Sequence, residues 1–362
     1  MVSAIILAGG YATRLRPLSL TKPKALFPLL NRPIIRYTLD SLIDSDVNDI
    51  YLSLRVMADK IINYLKNSNL LDKVKIEVEN EPLGDAGPLR VLSEKYNLDE
   101  DVIVIYGDVF SEVNIKSLLD FYYKKSCDAV IVGVEVDDPR RYGVLYTEND
   151  ILVELIEKPR RPISNLINGG IYIFKKELFE SIRVPSSISR NFLPNILKSN
   201  KCIAVYKYSG IWADIGVPDD YLKLNFKLLI EKYPKGYIGP SAKVSESSTL
   251  IPPYYIGQDN VIKEDAYLSS HTILGDNVKI GRGCYISESI LMNNVEVKDY
   301  TFVTGSIIAD KSRIGKWNHV LEGSILGEEV ITGDGILINK GTIILPNKEV
   351  NEPIYDRDKI IL

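Results

Sequence analysis

A chain of 362 residues, 45% hydrophobic and 25% charged, is long enough for two domains with buried cores. Its net charge of -4 leaves no basic excess for phosphate contacts along a duplex, which argues against nucleic-acid binding. No apolar run reaches the roughly 18 residues of a membrane span and the N-terminus lacks a signal-peptide pattern, so a cytoplasmic protein without membrane contact is expected.

Cys127, Cys202 and Cys284 are odd in number and far apart, and support neither a disulfide framework nor a zinc knuckle. A single glutamine, Gln258, beside many charged residues leans towards a thermophile.

The first expected element is a strand over 4–7. This short apolar run empties into Gly9-Gly10-Tyr11-Ala12-Thr13-Arg14, with Pro23-Lys24 further on. Glycines let successive backbone N–H groups aim at one anion, while Arg14 and Lys24 bring positive charge, an arrangement suited to a triphosphate. The spacing fits neither a P-loop nor a dinucleotide loop, and a plain turn is the alternative.

Further strands are expected over 49–54, 74–78, 102–106, 129–134, 170–174 and 202–206. Helices are expected over 33–42, 57–66, 86–96, 115–125 and 221–231. This alternation predicts an α/β, Rossmann-like domain with a mostly parallel, doubly wound sheet. Such sheets bind ligands beyond the carboxyl ends of their strands, where the glycine turn lies.

Two aspartates follow strand-like runs, Asp108 after Gly107 and Asp214 within Trp212-Ala213-Asp214-Ile215-Gly216. A divalent metal screens a triphosphate during transfer, and Mg²⁺ prefers one or two carboxylates, so this pair is the candidate metal set. Either aspartate alone could instead cap a turn. Glu157-Lys158-Pro159 reads in isolation as a solvated pair, and Asn168-Gly169-Gly170 as a turn.

After Pro234-Lys235-Gly236 the pattern changes. Apolar residues recur every six positions, as Ile238, Val244, Leu250, Ile256, Ile262, Leu268, Leu274, Ile280 and Ile286. The series resumes one residue short at Leu291, Val297 and Val303, and again at Ile308, Ile314, Val320 and Leu326. Neither a helix nor an ordinary strand has this period, and a parallel β-helix does; about five coils are expected. The domain expectation is 1–232, then a left-handed β-helix over 238–346, then a tail over 347–362. Trp317, Tyr254, Tyr255 and Tyr285 fall outside the series and are expected to point outwards, where they favour self-association.

The chain resembles the sugar-1-phosphate nucleotidyltransferases, within them most closely the mannose-1-phosphate guanylyltransferases. The likeness rests on 9–24, Glu81-Pro82-Leu83-Gly84-Asp85-Ala86-Gly87-Pro88-Leu89, Gly107-Asp108, Arg141-Tyr142-Gly143-Val144, Glu157-Lys158-Pro159, Asn168-Gly169-Gly170-Ile171-Tyr172 and 212–221, and on Ser312-Arg313-Ile314-Gly315-Lys316-Trp317 and Ser324-Ile325-Leu326-Gly327-Glu328-Glu329-Val330 in the repeat region.

The resemblance implies that Leu7, Ala8, Gly9, Gly10, Gly84 and Asp108 meet the nucleotide. Arg14 and Lys24 would lie on its phosphates, and Asp108 and Asp214 would hold Mg²⁺. It also places Lys158 on the phosphate of the sugar-1-phosphate, and Gly143, Glu157 and Asn168 on the sugar hydroxyls. The implied substrates are an NTP and a sugar-1-phosphate, the implied products an NDP-sugar (GDP-mannose from GTP and mannose-1-phosphate first) and pyrophosphate, and the implied assembly a homo-oligomer through the β-helix.

Three positions depart from the family pattern. Ala12 stands for Gly, Asp85 for Thr, which brings a negative charge towards the nucleotide, and Ser189-Arg190-Asn191 replaces acidic residues. The alternatives are a glucose-1-phosphate thymidylyl- or uridylyltransferase, a non-catalytic regulatory subunit, and an acyltransferase using His271 or His319, both of which sit off the inward hexad positions.

Overall fold

The computed structural model describes residues 1–45 and 47–362. Contacts divide the chain into two units. The first comprises Met1–Tyr11, Lys24–Leu26 and Ile34–Asp214, and the second Ala12–Pro23, Phe27–Pro33 and Ile215–Leu362.

In chain order the elements begin with β1 (Val2–Ala8), the short β2 (Pro28–Leu29) and β3 (Arg32–Pro33), α1 (Ile34–Ile43), β4 (Val47–Leu54) and α2 (Ala58–Asn67). There follow β5 (Lys75–Val78), α3 (Gly87–Lys95), β6 (Asp101–Tyr106), β7 (Val109–Ser111), α4 (Ile115–Lys125) and β8 (Ala129–Glu135). Then come β9 (Gly143–Glu148), β10 (Ile151–Glu157), β11 (Leu166–Lys175), α5 (Leu193–Lys198), β12 (Ile203–Tyr208), β13 (Trp212–Asp214) and α6 (Pro218–Lys232).

The first unit is built on a nine-stranded sheet in the order β5-β4-β1-β6-β11-β8-β12-β10-β9. Seven strands point the same way, and two, β10 and β11, run against them. Alternate residues of β1 enter different cores. Val2, Ala4, Ile6 and Ala8 pack with α1, α2 and α4, while Ile5 and Leu7 pack with α3 and α5. Burial on both faces explains why β1 reads as an uninterrupted apolar run.

The expectation of unbridged cysteines is corrected. Cys127 and Cys202, 75 residues apart, form a disulfide. Each lies just before one of two paired parallel strands, with Ala129 of β8 opposite Ile203 of β12. Spacing alone could not show that pairing. Closing a loop of this length limits the unfolded chain, so reduction or a C127A/C202A double variant should lower unfolding free energy by about 2–4 kcal/mol. Thermal midpoints with and without reductant measure this; an unchanged midpoint once both thiols titrate would show that the bridge adds nothing.

In the second unit the hexads form three parallel sheets of eight, seven and six strands, consistent with a left-handed β-helix and giving six complete coils rather than about five. The hexad residues from Ile256 to Leu326 are buried, and the series continues inward through Ile338, Ile344 and Val350. Glu349–Val350 and Ile360–Ile361 are strands of these sheets rather than a separate tail.

One outer face carries a stacked row of Tyr267, Tyr285, Phe302 and His319, with successive ring centroids 5.4, 5.8 and 5.0 Å apart. The same unit holds segments from near the N-terminus. Lys22 forms an ion pair with Asp310. On α6, Tyr221 donates to the Pro28 carbonyl at 2.6 Å, and the Asn225 carbonyl oxygen accepts from Leu30 N at 3.0 Å.

Candidate functional site

Sheet order locates the site. β1 has β4 and then β5 on one side and β6 on the other, so the chain's direction of winding switches between β1 and β6. Crevices form at such switch points. Two predicted segments leave the sheet here, the Gly9-Gly10 turn from β1 and Gly107-Asp108 from β6, and Gly107 N donates to the Leu7 carbonyl at 2.8 Å. A Cβ at Gly10 would meet no heavy atom within 4 Å, so packing does not demand glycine there and its backbone faces open space.

Two residues that sequence reasoning missed flank Gly9. Arg55 follows β4, with its guanidinium stacked 4.9 Å from the Tyr11 ring centroid. Glu79 follows β5 and accepts from Ser53 Oγ at 2.6 Å, and burial pushes its carboxyl above the usual range. Their position after strands that neighbour β1 was the available signal.

Asp108 and Asp214 come together through a short ribbon. β7 pairs with β13 so that Asp214 lies opposite Val109, beside Asp108. Phe110 is buried and meets Tyr37 of α1 edge-on, which fixes the ribbon. Lys24, only 8% exposed, places its ammonium between the two carboxylates, 2.9 Å from Asp108 Oδ2 and 2.6 Å from Asp214 Oδ1. Burial pulls the lysine pKa down, but the two carboxylates outweigh it and hold the group above the ordinary lysine value. Lys24 therefore stays charged throughout the neutral range.

Since one cationic group is already gathered by both carboxylates, the donor set fits a divalent cation. Two oxygen-donor side chains would leave room for phosphate oxygens and water.

A second group converges nearby in the sheet. Gly143 of β9 pairs with Glu157 of β10, and a Cβ on Gly143 would lie 3.0 Å from Glu157 Oε2 and 3.7 Å from Asn168 Cβ. Lys158 follows with a φ of 50°, a left-handed conformation costly for a side-chain-bearing residue, while its N–H donates to the Tyr142 carbonyl at 2.9 Å. Its ammonium is half exposed and 3.7 Å from Glu157 Oε1. Trp212 of β13 donates to the Gly169 carbonyl at 2.8 Å, joining this group to the ribbon that carries Asp214.

Gly84 adopts a φ of 77°, and a Cβ there would come within 2.0 Å of the Ser186 carbonyl oxygen, so only glycine fits. The charge of Asp85, which departs from the family pattern, is engaged by protein groups. Tyr106 Oη donates to one oxygen at 2.6 Å and Ile188 N to the other at 2.8 Å. Arg14 belongs to the second unit, exposed on the turn Thr13–Leu15. The preceding Ala12 has a φ of 47°, where glycine would be less strained.

A sheet that opens at a switch point onto a glycine turn, a buried lysine and a paired carboxylate cluster is the framework of a nucleotidyl-transfer enzyme. The chain belongs to the nucleotidyl transferase family, whose description matches residues 3–231. The GMPPB C-terminal domain matches residues 250–361.

Its relatives narrow the class to the sugar-1-phosphate nucleotidyltransferases. The "Putative mannose-1-phosphate guanyltransferase" of Sulfolobus acidocaldarius is 53% identical over 362 residues, covering 100% of both chains. Mannose-1-phosphate guanylyltransferase 1 of Arabidopsis thaliana is 32% identical, covering 98% of each. Among solved structures, HddC from Yersinia pseudotuberculosis complexed with GMP-PN aligns at a TM-score of 0.54 and 33% identity over 63% of this chain and 100% of that one. Enzymes of this family generally use a divalent metal. Among the described residues no helix is long and apolar enough to cross a membrane.

Proposed function

We propose that the chain makes GDP-mannose and pyrophosphate from GTP and mannose-1-phosphate, in the cytoplasm. The observation that carries this reading is the convergence of Lys24, Asp108 and Asp214 at the switch point, joined to full-length similarity with mannose-1-phosphate guanylyltransferases.

A phosphate oxygen of the sugar-1-phosphate attacks the α-phosphorus of the NTP. The bond from that phosphorus to the bridging oxygen breaks, and pyrophosphate leaves with the electron pair. The nucleophile is already an anion, so positioning and charge screening carry the catalysis rather than proton transfer. Backbone groups of Leu7, Ala8, Gly9 and Gly10 receive the nucleotide, with Gly84 beside its base and ribose. Arg14 and Lys24 bind its phosphates. Lys158 holds the phosphate of the sugar substrate, while Gly143, Glu157 and Asn168 meet the sugar hydroxyls. Asp108 and Asp214 would hold Mg²⁺, which screens the triphosphate's charge when bound. The outer-face row of Tyr267, Tyr285, Phe302 and His319, in which Tyr285 is half-buried, supports self-association through the β-helix.

The test is a matrix of ATP, GTP, CTP, UTP and dTTP against mannose-, glucose- and N-acetylglucosamine-1-phosphate, read as pyrophosphate release. GTP with mannose-1-phosphate should turn over fastest. A preference for dTTP or UTP with glucose-1-phosphate would replace this reading, and no release in any combination would point to a non-catalytic subunit.

The two lysines should separate in the same assay. Lys158→Ala should raise KM for the sugar phosphate by about tenfold or more, and Lys24→Ala should act mainly on the NTP, because each loses a charge-assisted contact to a different substrate. Equal damage to both KM values would place the lysines in one shared site.

A further inference from the structure

Two cations have a claim on the carboxylates of Asp108 and Asp214. Lys24 Nζ lies 2.9 Å from Asp108 Oδ2 and 2.6 Å from Asp214 Oδ1, and the same two side chains are the oxygen donors that fit a divalent ion. All three residues belong to the first unit. Mg²⁺ holds its oxygens at about 2.1 Å, so an ion on Asp214 Oδ1 lies no further than about 4.7 Å from the ammonium nitrogen. Two cations that close repel strongly where water screens little, and Lys24 is only 8% exposed.

Access does not withhold the ion. The side chain of Asp108 is 41% exposed and that of Asp214 25%, so solvent reaches both carboxylates. What stands in the way is the ammonium. Its backbone is held, because the adjacent Ala25 is buried in the core that Ala4 and Ile6 of β1 enter. Its four-carbon stem is flexible, and an incoming triphosphate offers the ammonium several anionic oxygens at once. We propose that Lys24 is a built-in counter-ion that keeps Asp108 and Asp214 closed to a divalent ion until a triphosphate draws its ammonium away, so that the ion loads with the nucleotide and not before it. This rests on the reading of Lys24 as a phosphate contact and of the two aspartates as the ion's donors.

The test uses the full chain at pH 8 and Mn²⁺ as the probe, with binding read from water proton relaxation. Mn²⁺ alone should bind wild type weakly. Lys24→Met keeps the apolar stem and removes the charge, and should bind Mn²⁺ at least about tenfold more tightly. Asp214→Asn, made in both backgrounds, should abolish that gain. Presented as its complex with GTP, Mn²⁺ should show a relaxation enhancement with wild type that Asp214→Asn lacks.

If wild type binds Mn²⁺ as tightly as Lys24→Met and Asp214→Asn weakens both, ammonium and ion share the pair without conflict, and the proposal fails while the metal reading stands. If Asp214→Asn changes neither, the pair does not hold the ion and the metal reading falls too. Equally weak binding to wild type and Lys24→Met would show that the lysine is not what excludes the ion, which also overturns the proposal. So would an enhancement with Mn²⁺–GTP that is the same in wild type and Asp214→Asn, since the triphosphate would then not open the pair. Should Lys24→Met not fold, Lys24→Gln, which keeps an uncharged donor, takes its place.

Discussion

Asp108→Asn and Asp214→Asn should each reduce pyrophosphate release by about 10²–10³-fold, the scale on which removal of one electrostatic stabiliser acts in transfer reactions. The expectation follows from how little redundancy the cluster has. Two carboxylates, set side by side by the β7–β13 register, face one ammonium. Changing either to an amide removes half of the negative charge available to a divalent ion, and turns an acceptor-only group into one that can present a donor to Lys24.

The fold should survive. Asp108 is partly exposed, and the remaining aspartate still pairs with the buried lysine. The stability cost should be about 1–3 kcal/mol, that of one charge-assisted hydrogen bond. Circular dichroism and thermal midpoints check that half of the expectation. Near-wild-type turnover in either variant at limiting Mg²⁺ would show that the pair does not hold the metal.

Much of this site was legible because it sits at strand ends. An apolar run followed by Gly9-Gly10, and another followed by Gly107-Asp108, are local signals that hydrophobic patterning exposes directly. The repeat region was legible for the same reason, since neither a helix nor a flat sheet buries one residue at every sixth position.

What escaped depends on distant pairing. Nothing local in Lys24 tells that it lies between Asp108 and Asp214, 84 and 190 residues away. The reversal of β11 is equally hidden, because an apolar strand buried on both faces reads the same in either direction. Asp85 was legible only in part. Its charge near a presumed nucleotide loop was visible, but the Tyr106 hydroxyl and Ile188 N–H that engage it were not.

The largest structural change worth making is to end the chain after Lys235, and the expected result is loss of both thermal stability and activity. From the sequence, the β-helix is expected to serve self-association rather than chemistry, so that a shortened chain would change its oligomeric state and lose thermal stability yet keep some nucleotidyl transfer. The grouping of Ala12–Pro23 with the second unit alters that expectation. This segment carries Arg14, and Lys22 at its end is ion-paired with Asp310, a residue that truncation removes. The segment Phe27–Pro33 keeps its ties to α6, through Tyr221 and Asn225, so the damage should concentrate on Ala12–Pro23; with Arg14 on the triphosphate, as proposed above, it should be read first as a raised KM for the NTP.

Asp310→Asn isolates the contact. It retains an acceptor for Asn293 N, which Asp310 Oδ1 now satisfies at 3.0 Å, but removes the charge opposite Lys22. Both side chains are largely buried, so the loss should be about 1–3 kcal/mol and KM for GTP should rise while KM for the sugar phosphate stays near wild type. Light scattering on the truncated and full-length chains reads self-association separately from these effects. If the truncated chain matches the full-length one in thermal midpoint and KM for GTP, the Lys22–Asp310 pair does not support the segment proposed to bind phosphate. If it also keeps the same oligomeric state, the β-helix is not the self-association surface either.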